Sequence, residues 1–181
     1  IASNYLCDAA KGEQIELTGP YRNPFRMPLD TRSNLLMIGT GTGVAPFRAF
    51  VRHIYSRSTD WKGKVRVFYG ARTGMDLLYL NEVEDDLANY YDEATFKAFR
   101  GLVSKPLAGD EHGLQHTLEE NAAEAWALVQ DPNTHVYLAG LTKTLDALDR
   151  AMAKAAGSAE AWAAARERLQ NEGRWSELLY S

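Results

Sequence analysis

From residue 31 onward, short unbroken apolar runs alternate with longer stretches in which apolar residues recur at three and four. A short continuous run reads as a strand buried on both faces, and the three-four spacing reads as a helix with one buried side. Leu35 to Ile38 predicts the first strand, and Val44, Phe47, Val51, Ile54 and Tyr55 mark the helix after it, with Pro46 suited to its first turn. Val65 to Tyr69 predicts a second strand. Leu80, Val83, Leu87 and Tyr90 or Tyr91 predict a second helix. Phe96 to Val103 is a third strand, followed by one helix through Leu114, Leu118, Ala122 and Trp126. Val136 to Leu138 is a fourth strand. Helices through Leu145, Leu148, Met152 and Ala155, and through Trp162, Ala165 and Leu169, come next, and Glu177 to Tyr180 closes with a short strand. Strands alternating with helices in this way predict an α/β fold, a doubly wound five-stranded parallel sheet with helices on both faces.

The first 30 residues break the rhythm. Gln14 to Thr18 reads as a strand with no helix after it, only Gly19-Pro20. Together with the opening at Ile1 rather than a methionine, this suggests a piece of a longer polypeptide, with residues 1-30 the tail of another unit and 31-181 the α/β domain.

Composition narrows the choice of function. With 45% hydrophobic and 24% charged residues, the 181-residue chain has the makings of one good core. A net charge of -4 gives no footprint for nucleic acid or an anionic membrane. One cysteine, Cys7, allows no internal disulfide and no thiolate-built zinc or iron-sulfur site. No apolar run approaches the roughly 18 residues of a membrane span, and no secretory signal pattern opens the chain. A soluble, cytoplasmic protein is expected.

The candidate chemistry lies where the first strand runs into Gly39-Thr40-Gly41-Thr42-Gly43-Val44-Ala45-Pro46 and then a helix. Such a turn offers bare amides at a helix N-terminus, where dipole and unpaired N–H groups favour phosphate, and glycines allow close approach. The same three glycines also suit a tight strand-to-helix turn that binds nothing. There is no Gly-Lys-Ser/Thr ending for a nucleoside-triphosphatase loop and no Gly-x-Gly-x-x-Gly spacing. Tyr69-Gly70-Ala71-Arg72, ending the second strand, lacks an acid to hold a ribose. His53, His112, His116 and His135 have no ligand spacing for a metal, and Trp126 and Trp162 read as packing residues. Glu82 to Asp86 reads as a solvated face, while Arg22 and Arg26 could attract an acidic electron carrier.

Gly39 to Arg48 resembles the nicotinamide-nucleotide loop of the plant-type ferredoxin-NADP reductase superfamily. Ser3 to Asp8, Leu17 to Pro20 through Pro28, Tyr69 to Arg72 with Asp76 to Tyr79, Val103-Ser104-Lys105, Val136 to Leu141 and Gly173 through Tyr180 resemble further motifs in family order. The resemblance implies that residues 1-30 are the terminal strand and linker of an upstream antiparallel FAD-binding barrel. Ser3 and Asn4 would lie near the flavin pyrophosphate. The main flavin motif, Arg-x-Tyr-Ser, occurs nowhere in the chain, so FAD would be bound mainly by the upstream domain.

The pyrophosphate of NADP, or of NAD, would sit over Thr40 to Val44, with Gly70, Ala71, Arg72, Gly140 and Leu141 alongside. Ser104 and Lys105 would face a ribose 2′-phosphate. The family's Lys-x-Tyr-x-Gln leaves only Gln115 here, beside Glu111 and Gly113. Tyr180 would be the catalytic-site aromatic that stacks on flavin and moves aside for nicotinamide. Ala139 replaces the usual cysteine, and Leu178 the usual acid, with Glu177 one position early. The implied function is that of the NAD(P)H-binding module of an FAD-dependent reductase. Electrons would pass from NADPH through flavin to ferredoxin, flavodoxin or a fused iron-sulfur domain, and could feed an oxygenase. The other reading is a non-catalytic dinucleotide-binding module.

Overall fold

The computed structural model describes residues 2–19, 21, 23–57, 60–71, 96–102 and 113–180. Five strands run parallel in one sheet: β1 (Asn34–Thr40), β2 (Val65–Ala71), β3 (Phe96–Leu102), β4 (Thr134–Leu141) and β5 (Trp175–Tyr180). Their order across the sheet is β3-β2-β1-β4-β5. The chain therefore winds outward from β1 in one direction, returns, and winds outward in the other through β4. The reversal falls between β1 and β4, whose C-terminal ends open a crevice of the kind in which doubly wound sheets bind ligands.

Both central strands earn their place by burial. Leu35, Leu36, Met37 and Ile38 are all 0 to 1% exposed, as expected of a strand covered on both faces. Alternation along β1 splits the core in two. Leu35 and Met37 join Val44, Phe47, Val51 and Ile54 on the side of α2 (Ala45–Arg57). Leu36 and Ile38 join Leu118, Leu128, Leu148, Met152 and Trp162 on the other side. That side is covered by α3 (Gly113–Glu120), α4 (Ala122–Gln130), α5 (Thr142–Ala156) and α6 (Ala159–Asn171).

Every strand expected from residue 31 onward is present, and two expectations need correction. The single helix through Leu114 and Trp126 is two helices, broken at Asn121, whose side-chain amide donates back to the Thr117 carbonyl at 2.9 Å. Asparagine competes in this way for backbone groups that a continuous helix would use. The expected barrel strand at Gln14 to Thr18 does not form: the segment is irregular and exposed, and the chain begins instead with a short helix, α1 (Ala2–Asp8). A strand needs a neighbour for its N–H and C=O groups, and this one has none among the described residues. The helix expected through Leu80 and Tyr91 lies outside the described residues.

The connection into the sheet is well seated. Phe25 is buried, stacked 6.0 Å from Phe47 and edge-on to Tyr137 at 5.7 Å. The Tyr137 hydroxyl donates to the Arg26 carbonyl at 2.7 Å, and burial pushes the phenol's pKa up. At the opposite end of the strands from the crevice, Asn34 ties three segments together. It donates to Asp131 at 3.1 Å and accepts from the Lys64 amide at 2.8 Å, fixing the register of β1 between β2 and β4.

Candidate nucleotide-binding site

At the crevice, β1 ends in extended backbone at Thr40 and turns through a short 3-10 helix, Gly41–Val44, directly into α2. Gly41 has φ +54°, the left-handed conformation that glycine adopts without a Cβ penalty. The glycines divide by what surrounds them. A Cβ on Gly39 would lie 2.8 Å from the Phe47 ring, and one on Gly43 would lie 2.6 Å from the Ala139 carbonyl. One on Gly70 would meet Leu114 at 2.8 Å, and one on Gly140, φ +133°, would meet Thr40 Oγ1 at 2.3 Å. Gly43 and Gly140 let backbones pack together, and Gly39 and Gly70 make room for the side chains of Phe47 and Leu114. Gly41 and Thr42 are exposed, and they form the part of the loop that a ligand can reach.

Hydroxyl groups fasten the loop on three sides. Thr40 Oγ1 accepts from the Leu141 amide at 3.3 Å and lies 2.8 Å from the hydroxyl of Thr144, a buried residue in the first turn of α5. Tyr69, buried on β2, donates to the Gly41 carbonyl at 3.2 Å. Thr42 Oγ1 lies 3.2 Å from the Tyr180 hydroxyl, and Thr142 donates to the Tyr180 carbonyl at 3.5 Å. The loop, the end of β4 and the end of β5 thus form one connected surface. No acidic residue occupies the first turn of the 3-10 helix, of α2 or of α5, so nothing there opposes an anion at these N-termini.

Gly39 through Val44, Gly70, Gly140, Leu141 and Tyr180 therefore lie together at the crevice. Pro46 is half-buried in the first turn of α2, and Ala71 ends β2. Ser3 and Asn4 belong to α1. Gln115 sits on α3 with both ends of its carboxamide engaged: it donates to Glu119 at 2.7 Å and accepts from Arg150 at 2.8 Å. Arg72, Ser104 and Lys105 lie outside the described residues. Tyr69, Thr144 and Thr142 are contributors that sequence reasoning did not single out. Each acts across a strand or helix boundary, and the partner it meets there is not written in the spacing of the motif beside it.

The pleat of β5 decides which residues face the crevice. Leu178 and Tyr180 alternate onto the same side, 50% and 42% exposed, while Glu177 points to the other. There the Glu177 carboxylate accepts from the Trp175 indole N–H at 2.8 Å, and Leu179 packs into the core. Glu177 therefore does not stand in for an acid at position 178. Ala139 is buried, and its backbone carbonyl lies against Gly43 of the loop. Among the described residues no three His, Cys, Asp or Glu side chains gather as a metal site requires, and no helix is long and apolar enough to cross a membrane.

A glycine loop at the β1/β4 reversal, two unopposed helix N-termini and an aromatic hydroxyl over the loop define a dinucleotide-binding domain of the doubly wound class. The chain belongs to the oxidoreductase NAD-binding domain family, whose model matches residues 37–150. Its similarity to ferredoxin–NADP reductases runs over 99% of its length. It is 31% identical to that of Synechocystis sp., covering 45% of it, and 30% identical to that of Spirulina sp., covering 63%. It is 35% identical to the cyanelle enzyme of Cyanophora paradoxa, covering 51%. The chain thus spans about half the length of the curated relatives it matches.

Proposed function

We propose that this chain is the NAD(P)H-binding module of an FAD-dependent reductase that draws electrons from NADPH and delivers them singly to an iron-sulfur or flavodoxin carrier. The observation that carries the reading is the exposed pair Gly41 and Thr42 at the mouth of the crevice, with the Tyr180 hydroxyl against it. A pyrophosphate fits there on the chemistry of the donors: backbone N–H groups and a threonine hydroxyl at a helix start without competing carboxylates. Lys105 and Ser104 would take a ribose 2′-phosphate, Arg72 and Ala71 would border the adenosine end, and Gln115 would reach it only by exchanging Arg150 or Glu119 for the ligand.

Flavin needs more than these residues provide, since the Arg-x-Tyr-Ser motif is absent from the chain. FAD would be held mainly by a barrel preceding residue 31, with Ser3 and Asn4 on its near side. When bound, it would supply the exchange between a two-electron hydride donor and one-electron acceptors. This chain's residues would bind the nucleotide, orient it and shield the meeting point: Tyr180 and Leu178 would cover the flavin face, and Tyr180 would yield to nicotinamide. Ferredoxin is the partner suggested by the relatives' names; flavodoxin or a fused iron-sulfur domain would meet the same requirement, and an oxygenase could lie downstream. A single exposed cysteine suits a reducing cytoplasm.

Ala139 and Leu178 favour one competing reading, a module that binds nucleotide without turnover. Reduction of ferricyanide by NADPH in the full-length flavin-loaded protein separates the two. Steady NADPH-dependent turnover is the expected result. Tight NADP+ binding with no turnover would replace the reductase by the non-catalytic module.

A further inference from the structure

We infer that Tyr69 is a positioning residue of the nucleotide loop: its buried phenol draws the Gly41 carbonyl inward and so turns the Thr42 amide N–H outward, towards the pyrophosphate of a dinucleotide. The inference rests on the nucleotide-binding reading above and assigns that site a residue on a neighbouring strand.

Tyr69 is 1% exposed, lies on β2 opposite Gly39 of β1, and contributes its ring to the core beneath α2. Its hydroxyl passes the strand end and donates to the Gly41 carbonyl at 3.2 Å. A trans peptide is planar, and its C=O and N–H point in opposite directions. Fixing the Gly41 carbonyl towards Tyr69 therefore fixes the N–H of Thr42 away from it, on the side where Gly41 and Thr42 are exposed.

The 3-10 helix that opens at Gly41 also restrains this peptide, but it is a single short turn, and the tether adds to it. Gly41 is left-handed at φ +54°, and a Cβ there would find nothing nearer than the Tyr180 hydroxyl at 3.7 Å. Glycine moves between conformations at low cost, and rotation of the Gly41–Thr42 peptide would present a carbonyl to the anion where a donor is needed. Thr40 cannot supply the restraint, because its hydroxyl is committed to Thr144 and the Leu141 amide, one peptide earlier.

A merely structural role makes a different prediction, since a buried phenol also needs a partner for its own sake. Tyr69→Phe removes one oxygen and keeps the ring. In the full-length protein, the dissociation constant for NADP+ is expected to rise about five- to tenfold, the scale of one hydrogen bond. The constant for adenosine 2′-monophosphate, which has no pyrophosphate, is expected to stay the same. KM for NADPH rises with kcat held, as for a contact made equally in ground and transition states. The unfolding midpoint is measured alongside. An unchanged NADP+ constant, or equal losses for both ligands, overturns the positioning role while leaving the nucleotide site in place. Failure of the unsubstituted protein to bind NADP+ overturns the underlying reading and this one with it.

Discussion

At the scale of single residues, the glycine loop is less a phosphate cradle than a packing joint with a small exposed tip. Gly39, Gly43, Gly70 and Gly140 are required because another backbone or a packed side chain occupies the space a Cβ would need. Gly43→Ala is expected to destabilise the protein by about 1–3 kcal/mol, the usual cost of overpacking, since the obstructing atoms are the Ala139 carbonyl group and cannot rotate away. Gly41→Ala, with open space and only its left-handed φ against it, is expected to cost about 1 kcal/mol. Urea denaturation of the two variants measures the difference, and a smaller loss at Gly43 would mean that β4 gives way. The sequence announced these glycines without their division of labour. Which of them faces a neighbour depends on Phe47 of α2, Leu114 of α3 and the meeting of β1 with β4, which come together only in the fold.

At the scale of elements, helix starts and stops carry much of the local specification. α5 ends at Gly157, φ +86°, and α6 begins after Ser158, whose hydroxyl accepts from the Ala161 amide at 3.1 Å. This joins two helices with a turn of minimal length and sets α6 against α5, where Trp162 donates to Asp149 at 2.7 Å and Arg166 pairs with the same carboxylate. Ser158→Ala is expected to lower stability by about 1 kcal/mol, as for other N-caps, visible as a drop in the thermal midpoint. No change would mean that packing of Trp162 alone holds the helix start. The helical periods of α2, α5 and α6 were legible because each has one apolar stripe. The break at Asn121 was not, since Leu118, Ala122 and Trp126 keep helical spacing across it. The strand expected at Gln14 to Thr18 failed for the converse reason: alternation marks a segment fit to pair and does not supply the neighbour.

For the whole molecule, stability should depend on pH in two separate windows. Burial, helped by the nearby Arg174 cation, lowers the pKa of His135 from its ordinary 6.5. The folded state therefore prefers the neutral imidazole, and the unfolded chain takes up the proton first as pH falls. Stability is full above about 6.5 and declines as pH drops through that value to the depressed folded one, after which His135 adds no further loss. Asp30 acts later: Arg32 holds its carboxyl down to about 2 from 3.8, so its share is lost only below about pH 4. Urea midpoints at pH 7.5 and 5.5 are expected to differ, and His135→Gln to narrow the gap. An equal gap in the variant would assign the pH 5.5 loss to other groups.

The alternation of elements, the parallel sheet, the position of the loop and the family are legible in the chain alone, because they follow from periodicity and from local motifs. Tertiary structure alone decided that Tyr69 holds Gly41, that Thr144 holds Thr40, that Gln115 is bound to Arg150 and Glu119, and that Glu177 faces away from Tyr180. Each of these depends on strand order, register or the direction of a side chain, and those are set by how the strands and helices pack. A glycine's use or a carboxylate's partner is fixed only when the sheet closes around it.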